Sequence, residues 1–280
     1  MKLRIRYRAT YLYEEAVSLS PHTVRLFPRD IFPAGAVQTE FSTNDSSGIH
    51  WRRDLFDNLT AHCFYPEESD RLTFALDAEL SVAERNPFAF LIEKRAMHLP
   101  VAYTRHERDV LGPFFREQSC LLPPELEPPG GSATVDALVA MNQWIQANIV
   151  YERREEGEPL PAEETLARGR GACRDTAVLL ASALRASGIA ARLAGGYLWE
   201  SVTDPGARRA ESALHAWTEA YLPGAGWTAF DPSNGVLADH HYVTTAVGLL
   251  PDDIAPVSGL YFGDRNIPGS LKSSLRVERI

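Results

Sequence analysis

Cys173 is placed to do chemistry. It follows Gly169-Arg170-Gly171-Ala172 and opens the run Arg174-Asp175-Thr176-Ala177-Val178-Leu179-Leu180. Apolar residues recur there at helical spacing, and Gly188 closes the helix. The thiolate is the reactive form of cysteine, and a helix N-terminus favours negative charge. The glycines upstream let a substrate approach the backbone and its N–H groups. A cysteine nucleophile needs a base, and the base needs a carboxylate that fixes its tautomer. His215 stands in the alternating stretch Leu214–Leu222, and Asp231 ends the next apolar stretch, Trp227–Phe230. Cys173, His215 and Asp231 in this order have the composition of a triad for acyl transfer through a thioester.

Two strands must bring the base and the carboxylate together. Pro223-Gly224-Ala225-Gly226 is the turn between them. A plain four-residue loop would pair Leu222 with Trp227 and set Thr218 opposite Asp231, on the wrong face for His215. An odd-length loop or a bulge repairs this. Pairing Tyr221 with Trp227 gives an aromatic cross-strand contact and sets Asp231 opposite Trp217, one diagonal from His215.

Five segments resemble the core of bacterial transglutaminase-like cysteine peptidases: Gly171-Ala172-Cys173-Arg174-Asp175, Gly188-Ile189-Ala190-Ala191-Arg192, Gly195-Gly196-Tyr197, His215-Ala216-Trp217 and Asp231-Pro232-Ser233-Asn234. The stretch from Val243 to Gly259 resembles the family's C-terminal part, and the N-terminal third resembles the small β domain that often precedes the core. Arg174-Asp175-Thr176 departs from relatives that carry glutamine and an aromatic residue there. The resemblance implies a papain-like fold and the same Cys-His-Asp triad. It also implies an oxyanion hole made by the Cys173 backbone N–H and an upstream side chain, for which Gln143, Trp144 and Tyr151 are candidates. Asp175 is assigned to the first-turn N–H groups of its helix, away from the sulfur. The expected activity is hydrolysis of a peptide or amide bond, or acyl transfer to an amine, with hydrolysis favoured. The alternative is a noncatalytic peptide- or protein-binding module. No cofactor is called for. Asp239-His240-His241 matches no zinc spacing, so no metal is expected.

The rest of the chain frames these residues. In its 280 residues, Leu3, Ile5, Tyr7, Ala9, Tyr11 and Tyr13 alternate with a basic face. Ser18–Phe27 reads as a strand interrupted by Pro21, and short strands are expected at 41–44, 49–53 and 59–65. Arg71–Val82 alternates cleanly. Residues 84–129, rich in proline, read as a packed linker with a short helix near Phe88–Met97. Ser132–Ile149 reads as a helix, Arg153–Pro161 as a flexible polar loop, Glu164–Arg168 as a short helix, Ile189–Tyr197 as a strand and Trp199–Ser212 as a polar loop. The expected class is α+β, with an N-terminal antiparallel β domain and linker over 1–129 and a transglutaminase-like core over 130–280.

A net charge of −9 argues against nucleic acid as partner. No apolar run is long enough for a membrane span, and the N-terminus lacks the apolar region of a secretory signal. Three dispersed cysteines, Cys63, Cys120 and Cys173, fit a reducing compartment. The expected setting is therefore cytoplasmic, with a peptide or amide-bearing substrate.

Overall fold

The computed structural model describes residues 1–29, 35–44, 48–116, 122–154, 157–199, 213–263 and 269–280. Cys120, and the polar loop beyond Trp199, lie outside them. The first strand, β1 (Lys2–Leu19), buries Leu3, Ile5, Tyr7 and Ala9 and turns its arginines outward. Pro21 separates it from β2 (His22–Val24). Then come β3 (Gly35–Ser42), β4 (Gly48–Arg53), β5 (Leu59–Phe64) and β6 (Ser69–Ser81), which buries Leu72, Phe74, Leu76, Ala78 and Leu80. β6 lies between β1 and β3, while β2 and β4 flank β5 in a second sheet, all antiparallel. Their inner faces share one apolar cluster that includes Leu26, Phe27, Ala61 and Cys63.

The described residues of 84–129 are packed, as expected of this linker, but their helical turns differ from the single short helix expected near Phe88–Met97. Lys94–Ala96 forms a 3-10 turn, and α1 (Arg105–Leu111) follows behind a capping box between Thr104 and Glu107. Leu99, Val101 and Tyr103 are buried at alternate positions and join Ala96, Leu111 and Leu126 in the hydrophobic cluster around the Cys173 helix. Prolines make the segment irregular, but this alternation seats it in the core. The core therefore begins well before residue 130.

Helix α2 (Thr134–Asn148) buries Leu138, Met141, Asn142 and Ile145. Next come β7 (Val150–Tyr151), α3 (Ala162–Arg168), β8 (Arg170–Gly171) and α4 (Cys173–Ala186). Gly188, at φ 74, sits just past the α4 C-terminus, where a left-handed residue is needed. The sheet under α4 is built from β9 (Ala191–Leu198), β10 (Ala213–Leu222), β11 (Gly226–Asp231), β12 (Val236–Leu237) and β13 (Tyr242–Gly248). Its order is β12-β11-β10-β9-β13, all antiparallel. Ala216, Ala220 and Leu222 pack toward α4, and Thr218 Oγ1 donates to the α4 carbonyl of Ala177 at 2.7 Å. Trp217 faces the other way, with Ala194, Leu198 and Tyr242.

After α5 (Pro251–Ile254) the chain leaves the core, which corrects the expected span of 130–280. β14 (Val257–Ser258) pairs with β2, β15 (Tyr261–Phe262) with the end of β1, and β16 (Gly269–Arg279) with β1 from Leu3 to Tyr13. Partly buried Leu271, Leu275 and Val277 alternate along β16 and pack onto the β-domain cluster. The two parts also meet directly. The Asn58 side-chain amide donates to Val247 O at 2.8 Å and accepts from Val247 N at 2.9 Å, and Tyr197 Oη donates to Leu26 O at 2.8 Å. Among the described residues no helix is long and apolar enough to cross a membrane.

Candidate active site

Cys173 is the first residue of α4, in the turn whose N–H groups have no acceptor within the helix. The loop before it is shaped by a buried carboxylate. Asp175, fully buried, accepts from Ala172 N at 2.8 Å, Leu160 N at 2.8 Å and the Arg154 guanidinium at 2.8 Å. It thus turns away from the sulfur, but it caps the residue before the helix rather than first-turn N–H groups. It also pins both described ends of the 154–160 loop, which the sequence had marked as flexible. Gly171 makes room for it: a Cβ there would stand 2.9 Å from Asp175 Cβ. This glycine serves close packing within the chain.

The hairpin ladder is regular. Tyr221 pairs with Trp227 and Leu222 with Gly226, leaving a three-residue turn. Asp231 therefore emerges level with Trp217, on the face that carries His215. His215 Nε2 lies 2.7 Å from Asp231 Oδ2. The same oxygen accepts from Asn234 Nδ2 at 2.6 Å and from Tyr242 Oη at 2.6 Å, while Oδ1 accepts from Ser233 N at 2.9 Å and Asn234 N at 3.3 Å. Burial would raise the Asp231 pKa, but the His215 charge and these donors hold it at about 2. As a carboxylate it only accepts, so Nε2 of His215 carries the proton it donates.

The other imidazole nitrogen is left for Cys173, to which His215 is hydrogen-bonded. Burial favours neutral histidine, yet Asp231 and then Cys173 push its pKa to about 10. Burial likewise opposes the thiolate, but His215 and the Ala216 N–H lower the Cys173 pKa overall. Both shifts run in the direction of a thiolate beside an imidazolium. Trp217 stacks near His215 with planes 25° apart, and Thr176 Oγ1 meets Ser233 Oγ at 2.9 Å, tying the Cys helix to the Asp turn.

The oxyanion candidates separate. Gln143 is exposed on α2, and Trp144 packs partly against the core. Tyr151, opposite Gly171 in the short parallel pair β7–β8, has its pKa raised by burial and then by the charge of Cys173. Asp239, His240 and His241 bring their ligand-type atoms within 4.8 Å of one another. The two imidazoles stack, with centroids 4.2 Å apart and planes 35° apart, and His241 also stacks on Trp199. Sequence reasoning missed Tyr242 and Asn234; the turn cluster Asp231–Gly235 was a signal for Asn234 alone.

The sequence model of the transglutaminase-like superfamily matches residues 128–232, and that of the bacterial transglutaminase-like N-terminal region matches residues 3–81. The chain carries a transglutaminase-like core. The solved structure of a candidate cysteine protease from Cytophaga hutchinsonii shares its fold, with a TM-score of 0.74 at 18% identity over 99% of this chain and 90% of that one. An uncharacterized protein of Mycobacterium leprae is 32% identical over 127 residues, a match spanning 45% of each chain, so less than half of that relative is covered. An uncharacterized protein of Mycobacterium tuberculosis is 23% identical over 93% of this chain and 88% of its own. The transglutaminase-like core and its β domain thus make an α+β chain whose core has a papain-like arrangement, a fold that supports thiol-based catalysis.

Proposed function

We propose that this chain hydrolyses a peptide or amide bond through a thioester on Cys173, with His215 and Asp231 completing the triad. The observation that carries the reading is the buried His215–Asp231 contact beside a thiol of lowered pKa. The Cys173 thiolate attacks the carbonyl carbon, and the oxyanion forms against the Cys173 N–H and the Tyr151 hydroxyl. The His215 imidazolium gives its proton to the leaving nitrogen as the C–N bond breaks, leaving an acyl-thioester and neutral imidazole. His215 then takes a proton from water, whose oxygen attacks the thioester. The acid leaves, the thiolate returns and the imidazolium is restored. An amine in place of water would give acyl transfer. The protease description of the Cytophaga neighbour supports hydrolysis as the first choice.

The test is competitive alkylation with iodoacetamide near neutral pH, followed by peptide mapping. Cys173 should react far faster than Cys63, whose thiol burial pushes up to about 11. Equal rates, as for a noncatalytic binding module, would sink the reading. A panel of peptide and amide electrophiles, read by the adduct on Cys173, then reports the substrate class.

A further inference from the structure

We infer that Tyr242 is a positioning residue for the thiol reaction, acting on His215 through Asp231. This rests on the triad reading above. The Oδ1 oxygen of Asp231 is held by backbone N–H groups of its own turn, and Asn234 belongs to the same turn. Tyr242 is different. Its strand β13 is separated from β11 by both β10 and β9, so its hydroxyl crosses two strands to reach Oδ2. Along the way β9 places Gly196 opposite His215 in the ladder, and a Cβ there would stand 2.0 Å from Val243 O, so the glycine lets β13 approach closely beside Tyr242. The Tyr242 ring packs edge-on against Trp217 at 5.4 Å, and its centroid lies 6.1 Å from that of His215. The rings of Trp217, Tyr242 and His215 thus form a triangle, each in contact with the other two.

The consequence is geometric first. With three donors on Oδ2, the carboxylate cannot swing without breaking a short hydrogen bond, so the second imidazole nitrogen stays aimed at the sulfur. The phenol also shares the carboxylate's charge, which moderates the hold of Asp231 on the imidazolium. The titratable groups that bear on the His215–Asp231 pair are Cys173 from α4, Tyr151 from β7 and Tyr242 from β13.

The experiment is the pH profile of Cys173 alkylation in the full-length protein, with turnover on any substrate the electrophile panel reveals. Tyr242→Phe keeps the ring and removes the donor. The alkaline inflection, where the imidazolium loses its proton, should move up by about half a pH unit, because Asp231 becomes more basic. Turnover should fall roughly tenfold. A fluorotyrosine at position 242 is a stronger donor with the same ring, and should move the inflection down. A structural role alone would lower the melting temperature and leave both profiles on the wild-type curve, which would overturn the inference. If wild-type Cys173 itself shows no fast alkylation, the triad reading fails first and the role of Tyr242 falls with it.

Discussion

Tyr221 stands opposite Trp227, their rings 5.5 Å apart and nearly edge to face, and this pairing decides which way Asp231 points. A slip of one residue in the hairpin would turn the carboxylate to the other face of the sheet, away from His215. The hairpin register is thus a condition for the His215–Asp231 contact, and the turn Pro223-Gly224-Ala225 fits that register.

Replacing Asp231 by Asn tests that geometry chemically. An amide nitrogen would meet the donors of His215, Asn234 or Tyr242, and the imidazole would take the wrong tautomer. Turnover should fall on the order of 10⁴-fold while thermal denaturation stays a single cooperative transition. Retention of more than a tenth of the wild-type rate would remove Asp231 from the mechanism.

The ion pair also makes stability depend on pH. His215 titrates at about 10 when folded, above its unfolded value of roughly 6.5. Its contribution is complete below that unfolded value and disappears as pH rises through about 10. Asp231 is depressed to about 2, so its contribution is complete above roughly 4 and is lost as pH falls toward 2. The urea midpoint gap between wild type and His215→Gln should therefore be widest between roughly pH 4 and 6.5 and narrow steadily on the alkaline side. A gap that widened from neutral pH to pH 9.5 would contradict the pair.

Asp175→Ala should damage the loop before the nucleophile. It leaves the Ala172 and Leu160 N–H groups without their acceptor and Arg154 without its carboxylate. The expected loss is about 3 kcal/mol, or a melting temperature lower by about 6–12 °C. Calorimetry of the purified variant decides this, and a shift under 2 °C, roughly 1 kcal/mol or less, would show the carboxylate to be dispensable.

Tyr151→Phe separates oxyanion stabilisation from nucleophile activation. If the hydroxyl serves the developing oxyanion, kcat should drop about a hundredfold with KM nearly constant. Alkylation of Cys173 should stay within about twofold of wild type, since only the carbonyl oxygen loses a partner. An unchanged kcat would return the second donor to another group.

Much of this site is legible in the sequence because periodicity and turn residues carry it. The helix behind Cys173, the two strands of the hairpin and the parity that joins His215 to Asp231 follow from spacing alone. Other features depend on contacts that spacing does not encode. Tyr242 reads as an ordinary strand residue until the order of β9, β10 and β13 brings it over Asp231. Gln143 and Trp144 share a helix with buried Asn142, and only the packing of α2 shows which of its faces looks inward. The alternation of Leu271, Leu275 and Val277 is present in the sequence, but β16 is half exposed and its partner β1 lies at the far end of the chain. Leu99, Val101 and Tyr103 alternate between prolines, so their seat in the core is hidden by a composition that resembles a linker.

The return of β14, β15 and β16 to the sheets of β1 and β2 changes how the two parts of the molecule can move. A core joined by one connection could swivel freely about it. Here the chain crosses twice, after β6 on the way out and between α5 and β14 on the way back. Two attachment points remove the swivel and leave only a hinge about the line between them. The paired amide of Asn58 on Val247 and the Tyr197 hydroxyl on Leu26 add hydrogen bonds that oppose motion about that line.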